Sequence, residues 1–316
     1  MRTRSCTLLA ALITLALLGA TGCQPSPPPP QGGGTTSGQQ GGEAAPDGPP
    51  VTAVKIDNSA EGRPPVGIDA ADVVYVEPVE GGLSRILAIF ATHKPRSVGP
   101  VRSARETDAE ILPQYGRPTL AYSGAAPEVL PTIAAAPLTD ASDAHVPDAY
   151  SRDDARPVPH NLFVDTTRLP PAQPWPGATR PMIGDVPPGG APTERYEVRY
   201  PSATVGFFYN HPSQRWMVSM DGDPYAAVHS GRVGVSTVII QKVRTHESVV
   251  RDAAGNPSPV AESIGSGQAV VLRDGKSFEA TWNRPSPEAA TAYTDRSGAP
   301  LPVAPGQVWV VLSPEG

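Results

Sequence analysis

The sequence predicts an α+β protein: a mixed α/β N-terminal domain followed by a small, mostly-β domain of sandwich or barrel-like form. Two patterns carry this expectation. From residue 51 to about 170, runs of β-forming residues alternate with short helical segments, the signature of a mixed layer. From residue 193 to the end, six or seven short apolar and aromatic runs are separated by turn signals. Composition agrees: 40 prolines and 31 glycines with only 6% aromatics mean many turns and irregular segments, and exclude a helical bundle.

The chain opens on a basic Met1-Arg2-Thr3-Arg4 and an apolar run from Leu8 to Leu18. That run has the length of a signal-peptide core and is too short to span a bilayer. Ala20-Thr21-Gly22-Cys23 resembles a bacterial lipobox, with Ala20 where leucine is usual. The reading is a lipoprotein signal peptide over residues 1–22, with Cys23 as the lipidation site; a plain secretory signal cut at Ala20 or Gly22 is the alternative. Residues 23–50 are Pro, Gly, Ser and Gln with almost no apolar content, so they cannot bury a core and are expected to form a disordered tether. As a flexible coil the tether has a mean span of roughly 28 Å. The expected location is extracytoplasmic, with the membrane as a partner through lipidated Cys23. Cys6 and Cys23 are the two cysteines, so beyond residue 23 there is neither disulfide nor thiol, and thiol-nucleophile mechanisms are excluded. A formal charge of −6 leaves no electrostatic footprint for nucleic acid.

The N-terminal domain is expected over residues 51–170. Val51 to Ile56 reads as a strand ended by Asp57-Asn58. Asp72–Val76 and Arg85–Ala91 read as a strand–loop–strand unit around the acidic turn Glu77-Pro78-Val79-Glu80-Gly81-Gly82. Thr107–Leu112 reads as a short helix capped by Thr107 and stopped by Pro113, and Thr119–Tyr122 as a strand. Pro127–Ala136 reads as an Ala-rich helix with Pro127 at its first position. Tyr150 to His160 is polar and proline-rich, and Asn161–Val164 is apolar again. Residues 171–192 form a proline-rich connector. In the β-rich domain, residues 193–316, strands are expected at Tyr196–Tyr200, Val205–Tyr209, Arg215–Met220, Val235–Val243, Gln268–Leu272, Phe278–Trp282 and Gln307–Leu312. Trp216, Trp282 and Trp309 fall in these strands and read as core residues.

The chemistry concentrates around residues 71–108. Arg102 and Arg105 share a face if their segment is helical, and guanidinium groups suit phosphate or carboxylate. With Arg85, Ser103, Asn58 and Asn161 they are the candidate ligand-binding residues, an anion site. The competing reading is that the arginines form ion pairs with Glu77, Glu80, Asp72 or Asp108 and pin loops. The candidate catalytic residues are Glu77 and Glu80 as an acid/base pair, Asp57 at a strand end, and His160 after a rigid Arg156-Pro157-Val158-Pro159. No cofactor and no metal is expected. His246-Glu247 lacks the second histidine of a zinc-protease helix, Asp221-Gly222-Asp223 is too short for a calcium loop, and Gly275-Lys276-Ser277 lacks the upstream glycine of a phosphate loop.

Several motifs together carry a family resemblance: Lys55-Ile56-Asp57-Asn58, Ala71-Asp72-Val73-Val74-Tyr75 with Val79-Glu80-Gly81-Gly82, Val98 to Arg105, Pro159-His160-Asn161-Leu162, and Pro305 to Trp309. The chain resembles the YerB-like lipoproteins, a bacterial family of unknown function (DUF3048) with N- and C-terminal domains. The resemblance implies a lipoprotein with two domains and supplies no reaction. The strand–strand–arginine order is also somewhat similar to the LytR-CpsA-Psr wall-polymer phosphotransferases, without a close match in spacing. The resulting expectation is a lipid-anchored envelope protein that binds an anionic wall component, a wall-polymer phosphate or a peptidoglycan carboxylate. The alternatives are a wall-modifying enzyme (phosphoryl transfer or glycoside hydrolysis) and a protein-interaction module working through the β domain. Neither an oligomeric state nor a reaction follows from the sequence.

Overall fold

The structure is a computed structural model that describes residues 47–252 and 254–315. The expected signal peptide, Cys23 and most of the tether lie outside the described residues. Among the described residues no helix is long and apolar enough to cross a membrane.

The first half builds a sheet from fully buried strands. β1 (Thr52–Ile56), β2 (Val73–Pro78) and β3 (Ser84–Phe90) are β-branched and apolar almost throughout. β2 and β3 form an antiparallel hairpin that sets Val76 opposite Ile86 and Glu77 opposite Arg85. Its turn is a single 3₁₀ turn over Glu80–Gly82, in which Gly81 and Gly82 take φ of 67° and 71°, values that a side chain resists. β3 pairs antiparallel to β1 on its other side. The helix α1 (Glu106–Ile111) follows. It starts one residue before the sequence predicts, because the Asp108 carboxylate accepts the Arg105 backbone N–H at 2.7 Å and Arg105, not Thr107, becomes the cap position. β4 (Thr119–Ala121) lies parallel to β1. α2 (Leu130–Ala135) is shorter than the predicted Pro127–Ala136, since Pro131 offers no N–H and fits only the first turn. β5 (Thr139–Asp140) adds a parallel edge to β4. A separate ribbon pairs β6 (Tyr150–Arg152) with β7 (Leu162–Val164).

The second half extends the same sheet. Val308–Pro314 runs parallel to β2, with Val74 beside Trp309 and Tyr75 beside Val310. Its other side takes Thr237–Val243, again parallel, and the sheet continues through Gly265–Arg273 and Lys276–Arg284 to reach eleven strands. Strands from both halves are therefore neighbours in one sheet. A smaller five-stranded sheet, centred on Ala203–Asn210 and Arg215–Met220, covers one face. Val76, Ile86, Trp216, Val218 and Trp309 form the core between the two sheets. On the other face Tyr75, Leu87, Ile111, Tyr115 and Ile133 pack the sheet against α1, α2 and the following turns. The class is α+β, as the sequence predicts. The hairpin of Thr245–Arg251 with Pro257–Ala261 went unpredicted, because its first strand buries only Val250 and shows no apolar alternation.

β1, β2, β4 and β5 all run in one direction. Their carboxyl ends therefore bring Asp57, Glu77–Gly82, Ser123 and Asp140 to one edge of the sheet. In open α/β sheets this edge is where ligands bind.

Trp309 is fully buried and meets Phe207 and Tyr225 edge-on at centroid distances of 6.3 and 5.9 Å. Trp309→Ala is expected to lower stability by about 3–5 kcal/mol in urea unfolding; a loss under 1 kcal/mol would contradict this packing.

Candidate functional site

Alternation along the strands sets the site. Val51, Ala53 and Lys55 face the helices, as do Tyr75 and Glu77, and Leu87 and Arg85. Lys55 thus enters an apolar layer as a cation and needs partners. Its Nζ lies 2.5 Å from Glu77 Oε2 and 2.7 Å from Asp108 Oδ1, and all three side chains have 0% exposure. Glu77 Oε1 has no hydrogen-bond partner among the described residues. Burial, and then the charge of Asp108, push the Glu77 carboxyl above its ordinary range in spite of Lys55.

Asp108 also ties α1 to the arginines, because its second oxygen holds the Arg105 backbone N–H. The Arg105 guanidinium grips Glu80 by two bonds, Nε to Oε1 at 2.6 Å and Nη2 to Oε2 at 2.8 Å. Burial works against the Glu80 charge, but Arg105 overrides it and holds the carboxyl down at about 2. Arg105 Nη1 also donates to the carbonyls of Ser103 and Ala104.

Arg85 comes from β3 and donates to the same Ser103 carbonyl at 3.3 Å. It has no ion-pair partner among the described residues. Burial, with Arg105 beside it, pulls its guanidinium down to about 10, so it stays charged at neutral pH. Arg102 sits where residues 99–102 cross the end of β1, its N–H bonded to the Lys55 carbonyl and its own carbonyl to Ser123 N–H. Its Nε is 3.3 Å from Asp57 Oδ2, an ion-pair distance off a hydrogen-bonding direction, since that nitrogen makes no hydrogen bond.

Asp57 is the hub at the end of β1. Its Oδ2 lies 2.6 Å from His160 Nδ1, and its Oδ1 accepts the Ser59 N–H. A carboxylate can only accept, so Nδ1 carries the proton and Nε2 is the open nitrogen of the ring. Burial opposes the Asp57 charge, but the Ser59 N–H, His160 and Arg102 bring the carboxyl below its usual range. Ser59 Oγ approaches the same Nδ1 at 3.3 Å. Serine and aspartate on one nitrogen do not make a nucleophile relay, which needs them on opposite sides of the ring.

The structure thus brings Asp57, Arg85, Arg102, Ser103, Arg105 and His160 together at the carboxyl edge. It treats the other predicted residues differently. Glu77 and Glu80 do not act as an open acid/base pair here: one is sealed on Lys55, the other clamped by Arg105. Asn58 is buried beneath the edge, donating to Ser84 Oγ at 2.9 Å, with its Oδ1 unpartnered among the described residues. Asn161 is turned to Arg152, accepting its Nη1 at 2.7 Å, and serves the β6–β7 ribbon. Lys55 and Asp108 are the residues missed as a unit. A lysine alternating with Val51 and Ala53 was the available signal. Among the described residues no three His, Cys, Asp or Glu side chains converge to hold a metal ion.

Comparison with known proteins gives the family and the fold. The family model for the N-terminal domain of a protein of unknown function, DUF3048, matches residues 36–174, and that for its C-terminal domain matches residues 196–310. The chain belongs to the DUF3048 family. The protein of Bacillus subtilis (strain 168) named "Putative lipoprotein YerB" is 25% identical over 277 residues, covering 83% of this chain and 81% of that protein. The crystal structure of the YerB protein from Bacillus subtilis superposes with a TM-score of 0.71 at 20% identity, over 85% of this chain and 92% of that one, and shows the shared fold. Both DUF3048 segments contribute to the eleven-stranded sheet, while the candidate site residues come from the N-terminal segment, with Ser258 of the C-terminal segment hydrogen-bonded to Glu80.

Two pH windows follow, with opposite signs. Glu80 is held at about 2 against an ordinary 4.5, so its stabilisation is full above that range and is lost as pH falls through it. Glu77 is raised, so its contribution weakens stability as pH climbs above 4.5. In urea unfolding across pH 2–9, Glu80→Gln should flatten the acid limb and cost about 1–3 kcal/mol at pH 7. Glu77→Gln should flatten the alkaline limb. Unchanged limbs would contradict these assignments.

Proposed function

We propose that the chain is a lipid-anchored extracytoplasmic protein that binds an anionic group of the cell envelope at the carboxyl edge of its sheet. The supporting observation is an unbalanced charge. Arg85 and Arg105 meet at the Ser103 carbonyl beside Arg102, and among the described residues only Asp57 and Glu80 form ion pairs with these arginines. Arg85 is the guanidinium left over. A largely buried cation without a counter-ion is costly, and a phosphate or carboxylate seated against Arg85 and Arg102 would supply one with charge-assisted bonds. The anchor reading rests on the lipobox at Ala20 to Cys23 and on the name of the Bacillus subtilis relative.

A second reading has its own observation. The Asp57–His160 pair holds an imidazole with its Nε2 open and the side chain 16% exposed, beside the arginines. That is the arrangement of an oriented general base next to an anion cradle, and it favours phosphoryl transfer among the enzyme readings. Glycoside hydrolysis loses its carboxylate pair to Lys55 and Arg105. A docking role for the β-rich segment has little support, since Val228 and Val249 are the large apolar side chains well exposed there among the described residues.

Two experiments test the proposal. Retention of the full-length chain on an immobilised polyol-phosphate wall polymer should fall about tenfold or more in Arg85→Ala and in Arg102→Ala, each losing a charge-assisted bond. Competition by inorganic phosphate or by a peptidoglycan stem peptide identifies which anion is held. Equal retention by both variants and the wild type would refute the site. For the anchor, Cys23→Ala should move the protein from the membrane fraction to the medium; continued membrane association would refute lipidation at Cys23.

A further inference from the structure

A second concavity lies on the helix side of the sheet, toward the start of β2 and away from Arg85 and Arg102. Its volume is about 280 Å³. Val73 and Tyr75 of β2, with Val308 and Val310 of the neighbouring strand, line its floor along the sheet. Solvent reaches this floor. Val73, Val308 and Val310 each keep 4% exposure, whereas Val74, Trp309 and Val311, which point to the other face, have 0%. By volume the cavity is roughly twice a site that holds one benzene, which gives room for a single alkyl chain of about ten carbons.

The polar side chains of the interior are engaged within the wall. Gln114 Nε2 donates to the Tyr75 hydroxyl at 3.2 Å, and the Tyr75 and Tyr115 hydroxyls share a bond at 2.9 Å. Thr291 donates to Gln114 Oε1 at 3.3 Å, and Tyr293 to Gln241 Oε1 at 2.7 Å. Burial raises the three phenols, so they stay uncharged. What the interior offers a ligand is therefore chiefly apolar surface. Charge enters at one point. Among the described residues the lining holds one charged side chain, the exposed Arg180, and no carboxylate. Asp47, on the chain segment beside Arg180, lies outside the lining and accepts the Gly177 N–H at 2.9 Å. Arg180 already has a partner in the protein, but a guanidinium carries five N–H donors and can take a carboxylate beside that partner.

The surroundings of Arg180 fit a mouth. Gly48 packs against it so closely that a Cβ there would come within 3.2 Å of Arg180 Cδ. Met182 of the lining and Ile183 after it are each more than half exposed and give the opening an apolar lip. We propose that this cavity binds a single-chain fatty acid, its alkyl tail along Val73, Val308 and Val310 and its carboxylate on Arg180. The carboxylate stays at the exposed end, so it is not desolvated as it would be on the floor. This site stands apart from the anion site at the carboxyl edge, and neither reading depends on the other.

The test titrates decanoate, 1-decanol and butyrate calorimetrically into the full-length chain carrying Cys23→Ala, in detergent-free buffer. Decanoate should saturate about tenfold or more tighter than 1-decanol, the ratio expected for one charge-assisted bond. Butyrate, which has the carboxylate without the tail, should not saturate. Arg180→Gln, at an exposed position, should bring decanoate to the affinity of 1-decanol and leave 1-decanol unchanged. Ala290→Trp adds bulk at a half-buried position of the lining and should abolish binding of both. Arg85→Ala should bind decanoate as the parent chain does. The proposal is overturned if decanoate does not saturate, if butyrate or 1-decanol binds as tightly, or if Arg180→Gln or Ala290→Trp leaves decanoate binding intact. Loss of decanoate binding in Arg85→Ala would put the acid at the carboxyl edge instead and overturn it as well.

Discussion

The buried Lys55–Glu77–Asp108 cluster is the constraint on which the candidate site depends. It joins β1, β2 and α1 at the carboxyl edge, with no solvent access to any of the three side chains. Such a cluster gains little net stability over an apolar replacement, but losing one partner would leave a buried charge at a cost of several kcal/mol. Its consequence is positional. Asp108 fixes the start of α1 and the backbone of Arg105; Lys55 fixes the end of β1, where its carbonyl receives Arg102. Two of the three arginines are therefore placed by backbone bonds that lead back to this cluster.

The sheet adds rigidity from the far end of the chain. Val308–Pro314 lies between β2 and Thr237–Val243, paired in parallel on both sides. β2 is thus an interior strand, held by the C-terminal segment over Val73–Val76 and by β3 as far as Pro78. The smaller sheet reinforces the same region: Arg63 forms an ion pair with Asp221, and Asn58 Nδ2 reaches Met220 Sδ at 3.5 Å. The C-terminal half contributes little side-chain chemistry to the site and much of its support.

The strands were legible because their residues are β-branched and bounded by turn signals; Arg215–Met220 was predicted to the residue. The class was legible for the same reason. What local pattern does not encode is which distant strand becomes a neighbour, so the placement of Val308–Pro314 beside β2 had no signal in either segment. The arginines were legible as a charge cluster and Asp57 as a strand-end carboxylate. Their partners were not. Glu80 with Arg105 and Asp57 with His160 are separated by 25 and 103 residues, and only the turn of the hairpin and the β6–β7 ribbon bring them together.

The spare charge on Arg85 is a product of competition within the sheet. Register sets Glu77 directly opposite Arg85 on the same face, the position of a cross-strand ion pair. Glu77 instead gives Oε2 to Lys55, a shorter reach in a fully buried layer, and forms no salt bridge with Arg85. Glu80, the next acid along the turn, is taken by both nitrogens that Arg105 presents. Arg85 is left with a single carbonyl bond. Asp57, Glu77, Glu80 and Asp108 all stand near this edge, yet Lys55 holds two of them, and Arg85 is left without an ion pair among the described residues. Under the proposed reading Arg85, more than Arg105, is the residue on which ligand binding would turn.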